Sequence, residues 1–179
     1  MAFAVVLCFD AATDKKISAF QDKLLKTGIE SKKVKSTLRP HITLGIFEEI
    51  SCADCECKIN EIAFDHHLET VAFSSLGVFV YPEKVFFLSP VPSVSLLTIH
   101  KKIHDELGTV TSGSWEIYEP GRWVPHCTLA NDLDMNDLNQ AISNSEGLIF
   151  PFQAIVSQIG VVEFDPEKVV FQVDIKHND

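Results

Sequence analysis

The apolar residues of this chain fall into two kinds of pattern. Ala2–Asp10 carries an unbroken apolar run, which predicts a central strand buried on both faces. Over Thr13–Thr27 the apolar residues Ile17, Phe20, Leu24 and Leu25 recur at helical spacing. Arg39–Phe47 reads as a strand. Ala53–His66 predicts a helix with Ile59, Ile62 and Ala63 on one face. Glu69–Tyr81 and Lys84–Ser89 predict a hairpin turned at Tyr81-Pro82-Glu83. Ser93–Leu107 predicts a helix: Ser93 is a suitable N-cap, Leu96, Leu97, Ile99 and Ile103 supply the face, and Gly108 ends it. A strand over Arg122–Ala130, a helix over Asp134–Ser143 and a long strand over Phe150–Phe164 follow. The turn Asp165-Pro166-Glu167 then leads to a last strand, Val169–Ile175.

The chain repeats itself. Pro40-His41-Ile42-Thr43-Leu44 returns as Pro125-His126-Cys127-Thr128-Leu129, and Pro82-Glu83-Lys84-Val85-Phe86-Phe87 returns as Pro166-Glu167-Lys168-Val169-Val170-Phe171. Gly-containing apolar segments, Leu76-Gly77-Val78 and Ile159-Gly160-Val161, precede the second pair. Two landmarks at nearly one offset predict two related halves, each running strand, helix, histidine strand, helix, strand. The expected architecture is α+β, a bilobal pseudo-two-fold pair. No long Gly/Ser-rich linker divides the halves, so residues 1–179 are expected to form a single compact domain.

Strand alternation sorts the motif residues. Arg39, His41, Thr43 and Gly45 share one face, and Pro40, Ile42, Leu44 and Ile46 the other. In the second copy Arg122, Val124, His126 and Thr128 oppose Trp123, Pro125, Cys127 and Leu129. Both strands thus show Arg, His and Thr on one side, which predicts a hydrated groove, since a buried face would not hold that polarity without partners. Each Pro lacks an amide donor, so that position should lie at a strand start or an irregularity.

Such pairs suit one chemistry. Imidazole titrates near neutrality, so two of them across a groove can hold complementary protonation states. One takes a proton from an attacking oxygen while the other protonates a leaving oxygen. A phosphodiester needs both acts, and the Thr hydroxyls can donate to its non-bridging oxygens. The scheme calls for no metal and no cofactor.

Composition narrows the partners. Hydrophobic residues make up 46% and charged residues 22%, as in a soluble globular protein, and the net charge is −10. That charge argues against tight binding of long or duplex nucleic acid. The apolar start lacks a basic n-region and is too short to span a membrane. Five cysteines without a secretory signal predict reduced thiols and a cytoplasmic location. The basic run Lys32-Lys33-Val34-Lys35 is expected to be a solvated loop or a phosphate-facing rim.

His41-Ile42-Thr43-Leu44 and His126-Cys127-Thr128-Leu129, set in two related halves, resemble the 2H phosphoesterase superfamily, which includes 2′-5′ RNA ligase-like proteins and cyclic nucleotide phosphodiesterases. The resemblance spans essentially the whole chain. It implies a bilobal fold with a central groove, His41 and His126 as paired acid and base, and Thr43 and Thr128 holding phosphate. The expected activity is metal-independent turnover of 2′,3′-cyclic or 2′-5′ phosphodiesters in nucleotides or RNA ends, by a monomer. The alternative is a nucleotide-binding module that uses the same groove without turnover.

Further residues carry weaker expectations. Arg39 and Arg122 lie on the groove faces by parity, and each is a candidate either for a phosphate contact or, equally, for a surface ion pair. Tyr118 and Trp115 precede the second motif; Tyr118 is a candidate base-stacking residue, whereas Trp115 is expected to cap the core. Phe79 and Tyr81 carry a similar stacking suggestion. Cys52, Cys55 and Cys57, with His66 and His67 beyond, fit no common zinc spacing and are expected to be solvent-side or half-buried thiols. His100 and His104 share a helix face but lack the Glu of a zinc-protease motif, and are expected at the surface. Parity points Cys127 into the core.

Overall fold

A computed structural model describes residues 2–29, 38–65, 68–164 and 166–175. The basic run 32–35 and the pair His66 and His67 lie outside the described residues. In chain order the elements are β1 (Phe3–Phe9), α1 (Ala11–Lys26), β2 (His41–Phe47), β3 (Glu49–Ile50), α2 (Cys52–Asp65), β4 (Thr70–Phe79), β5 (Val85–Pro90), α3 (Val94–Leu107), β6 (Thr111–Ser112), a 3₁₀ turn (Glu116–Tyr118), β7 (Cys127–Ala130), α4 (Met135–Ser143), β8 (Phe152–Phe164) and β9 (Glu167–Asp174). The architecture is α+β, and each half follows the repeated order read from the sequence.

Local chemistry sets the helix ends. Asp10 caps α1 by accepting from the Thr13 amide at 3.0 Å, Ser93 caps α3 through Leu96 at 3.2 Å, and Asp134 caps α4 through Asp137 at 2.8 Å. The helices press their apolar stripes on one face of the sheet. Ile17, Phe20 and Leu24 of α1, Ile59 and Ile62 of α2, Leu96, Ile99 and Ile103 of α3, and Leu138 of α4 join Val5, Leu7 and Phe9 of β1 in the main core. Each such side chain contributes about 1.5–3 kcal/mol by leaving water.

The strands run in the order β2-β1-β8-β4-β5-β7, with β9 paired to β8 and a separate β3–β6 pair that the sequence did not suggest. The halves therefore exchange strands. β4, the last strand of the first half, pairs with β5 of the second, while β8, from the second half, pairs with β1 of the first. β8 joins the two groups: Phe152–Ile155 pairs with β4, and Val156–Glu163 pairs with β1.

The motif strands share an irregularity. Opposite β2, Val6 faces Thr43 and Val5 faces Gly45, so Leu44 is an extra residue. Opposite β7, Phe87 faces Thr128 and Phe86 faces Ala130, so Leu129 is the extra residue. The Leu of each repeat is thus a β-bulge, a device that re-aims side chains beside sites. It also reverses the alternation expected after Leu44. Ile46 lies with Ala4, Val6, Cys8 and Val162 in a second small cluster on the motif face, while Gly45 turns toward His104 of α3.

The second motif strand is shorter than the expected 122–130. Gly121 takes the left-handed φ of +89°, and the amides of Arg122 and Trp123 both return to the Glu119 carbonyl, at 3.0 and 3.1 Å. Those residues form a turn, and pairing starts only beyond Pro125 and His126. Both Pro-His steps stand at strand starts, as a missing donor requires.

Candidate active site

His41 and His126 are hung in the same way. His41 Nδ1 lies 2.7 Å from the Arg39 carbonyl, and His126 Nδ1 lies 2.7 Å from the Val124 carbonyl. A carbonyl only accepts, so Nδ1 carries the hydrogen and Nε2 is the basic nitrogen of each neutral ring. The backbone two residues upstream thus selects one tautomer in both halves. Thr43 and Thr128 follow each ring by two residues. Thr43 is buried and Thr128 half-buried, and they stand opposite Val6 and Phe87. Cys127 and Leu129 are wholly buried, as their parity requires.

The surroundings of His126 are aromatic. Phe79 meets it edge-on with centroids 5.0 Å apart, Phe87 lies at 5.4 Å and Tyr118 at 6.4 Å. Burial among these rings pushes the imidazole below its ordinary range, against the opposing pull of the Val124 carbonyl. Burial likewise raises the Tyr118 phenol, which therefore keeps its proton and remains a donor.

A pocket of about 490 Å³ opens beside His126. Its walls include Phe79, Tyr81, Trp115, Tyr118 and Trp123, with Glu83 and Arg122 supplying charge. Trp115 is 43% exposed here, not a core cap. Arg122 lines the pocket from the turn, not from a strand face, and its guanidinium pairs with Glu116. His41, Thr43 and Thr128 are not among the walls. The first motif is joined to this region by the Trp123 indole, which donates to the Thr43 carbonyl at 3.0 Å, and by Tyr118, which packs on the cluster of Ala4, Val6, Cys8 and Ile46.

Arg39 is placed differently from its parity expectation. It precedes β2, and its Nε donates to Asp14 at 2.6 Å and Nη1 to Gln158 at 2.8 Å, while Nη2 reaches the Phe9 carbonyl. It braces α1, β1 and β8.

The α3 histidines are not surface residues. His100 is 3% exposed; its Nε2 donates to the Tyr118 carbonyl at 2.8 Å and its ring stacks on Trp123 at 3.9 Å. His104 Nε2 donates to the Leu44 carbonyl at 3.1 Å. One signal was available: His100 lies four residues after Leu96 and three before Ile103, inside the apolar stripe. The thiols of α2 divide. Cys52 and Cys57 are exposed, whereas Cys55 is buried, against expectation, and its thiol is pushed up to about 12 by that burial. Among the described residues no three His, Cys, Asp or Glu side chains gather at one point.

Residues 63–168, more than half of the chain, match the sequence profile of the 2′-5′ RNA ligase superfamily; the span includes His126 but not His41. Solved structures resemble the whole chain. LigT of E. coli complexed with 3′-AMP has a TM-score of 0.62 at 15% identity, covering 98% of both chains. TT0787 of Thermus thermophilus has a TM-score of 0.62 at 15% identity with the same coverage. Usb1 of Kluyveromyces marxianus has 0.52 at 12% identity, again covering 98% of both chains. LigT has also been solved with ATP, NADP+ and phosphate. Identities this low carry the fold alone. No curated protein sequence matches the chain.

Proposed function

The chain belongs to the 2′-5′ RNA ligase superfamily, the 2H phosphoesterases, and on that premise we propose that it hydrolyses, or reversibly forms, 2′,3′-cyclic or 2′-5′ phosphodiester bonds in nucleotides or RNA ends. The carrying observation is the matched pair of Nδ1–carbonyl bonds, which give His41 and His126 the same basic nitrogen. Thr43 and Thr128 serve as phosphate donors. The pocket volume of about 490 Å³ suits one nucleoside, and LigT, of the same fold, has been solved with 3′-AMP.

In the hydrolytic direction His126, kept neutral by its aromatic surroundings, takes the proton of an attacking water. The water oxygen bonds to phosphorus, and the bond to one ribose oxygen breaks. His41, as imidazolium, gives that oxygen its proton. The Thr hydroxyls donate to the non-bridging oxygens, where charge grows. Two imidazoles supply both proton transfers, so the reading expects turnover with chelator present. Arg122 and Tyr118 would contact the substrate at the pocket wall.

The test uses purified protein with nucleoside 2′,3′-cyclic phosphates and 2′-5′ dinucleotides in chelator. Alanine at His41 or at His126 should each lower kcat by about 10²–10⁴. A p-nitrophenyl phosphodiester separates the roles, because its leaving oxygen needs no proton. His41→Ala should recover on that substrate and His126→Ala should not; the reverse pattern exchanges the assignments. A second reading, a nucleotide-binding module without turnover, is favoured by one observation: of the four motif side chains only His126 lines the pocket. Calorimetric binding of a mononucleotide that survives both alanine substitutions, with no product formed, would select it.

A further inference from the structure

The reaction as proposed gives no task to His100, although it is 3% exposed and hydrogen-bonded through Nε2. Filling that slot with an imidazole is costly unless its polar atoms are used. Stacking on Trp123, with ring planes 2° apart, needs only a flat ring. What the imidazole adds is its Nε2–H donated to the Tyr118 carbonyl. The Trp123 indole, pressed under that ring, donates in turn to the Thr43 carbonyl across 80 residues of chain. One turn along α3, His104 donates to Leu44, the bulge residue that follows Thr43. Tyr118 and Trp123 are also walls of the pocket. A helix on the core side of the sheet thus reaches the pocket wall and the first motif through the same two rings.

We propose that His100 is a positioning residue for the two-histidine site: anchored on the Tyr118 carbonyl, it holds the Trp123 indole in the plane from which that indole secures the backbone of Thr43. The Thr43 hydroxyl acts on charge that develops in the transition state. A loosened Thr43 therefore lowers kcat more than it raises KM. The rate consequence rests on the phosphoesterase reading above; the brace itself does not.

The rate test is a double-mutant cycle. His100→Phe keeps a ring on Trp123 and removes the donor, while Trp123→Phe keeps a ring under His100 and removes the N–H to Thr43. After cooperative melting is confirmed, each variant should lose about tenfold in kcat, with the KM of His100→Phe within about twofold of the parent. The double variant should lose no more than the worse single, because both act through one bond. A folded His100→Phe with parental kcat, or single losses that multiply in the double, overturns the proposal. A second measurement needs no substrate. The chain has only two tryptophans, so the two indole protons are separable by nuclear magnetic resonance. In the unmodified protein the Trp123 indole proton should exchange at least about tenfold more slowly than that of the exposed Trp115, and His100→Phe should erase that protection. Equal exchange of the two indoles, or protection unchanged in His100→Phe, defeats the brace whether or not any phosphodiester is turned over.

Discussion

Phe79 stands perpendicular to His126, with ring planes 89° and centroids 5.0 Å apart, so a phenyl group occupies space where water would otherwise solvate an imidazolium. Desolvation penalises the charged ring, and the imidazole is lowered for that reason. On the proposed mechanism His126 is the base, and a base must be neutral to act. The acidic limb of the pH–rate profile should therefore lie below about 6.5, the ordinary imidazole value. Phe79→Asn admits a polar neighbour and should move that limb upward. Stopped-time assays between pH 4.5 and 8 read both limbs, and a limb that does not move in the variant removes Phe79 as the cause.

Gly77 makes the ring cage possible. A Cβ there would lie 2.3 Å from the Phe87 ring, which is itself 4.4 Å from Phe79 and 5.4 Å from His126. Gly77→Ala must displace that ring, at a cost of about 1–3 kcal/mol in stability, and should lower kcat/KM as His126 loses its wall. Gly160 occupies the corresponding place beside Val6, and its nearest obstacle is the flexible Gln172 side chain at 3.2 Å. Gly160→Ala should therefore be nearly neutral. Urea melts and kinetics of both variants make the comparison; equal damage at the two glycines contradicts the packing explanation.

Arg39 and Asp14 form a half-buried ion pair at 2.5 Å. Burial raises the Asp14 carboxyl while the guanidinium pulls it down, and Asp14 Oδ1 is buried without a hydrogen-bond partner among the described residues. Arg39→Met strands that carboxylate and should cost about 2–3 kcal/mol of stability. Adding Asp14→Asn should restore much of the loss. Denaturant titrations of the single and double variants decide the matter, and a double variant no better than Arg39→Met would show that the arginine acts through Gln158 and Phe9 instead.

His100 predicts a pH dependence of stability. Burial depresses its imidazole to about 4, partly offset by the bond to Tyr118. Unfolded, the ring titrates near 6.5, so between those values the unfolded chain binds a proton that the folded chain refuses. The neutral ring's contribution is whole above about pH 6.5 and drains away as pH falls toward 4, by about 3 kcal/mol. Between pH 7 and 4.5, His100→Phe should lose about 2–2.5 kcal/mol less than the parent. Unfolding free energies at pH 7 and 4.5 for parent and variant give the difference, and parallel slopes would mean that the ring titrates normally.

Much of this arrangement was legible in the residues. Alternation sent Cys127 and Leu129 inward and left His126 and Thr128 on the other side, and Ser93 marked a helix start by its short acceptor side chain. The failures have physical causes. The bulge at Leu44 reverses the faces of Gly45 and Ile46, and an inserted residue leaves no mark in an apolar run. Arg39 and Arg122 stand outside regular strands, so parity did not govern them. His100 and His104 are polar by type, which points to the surface, whereas their spacing sets them against the core. Which hairpin joins which histidine strand depends on pairings far apart in the chain, and no local pattern encodes it.

β8 is one uninterrupted strand that bonds to β1 along one stretch and to β4 along another. The strand groups of the two motifs are thus tied by one ladder of backbone hydrogen bonds, as a bridge deck ties two piers. Jaw-like separation of β1 from β4 would have to break that ladder.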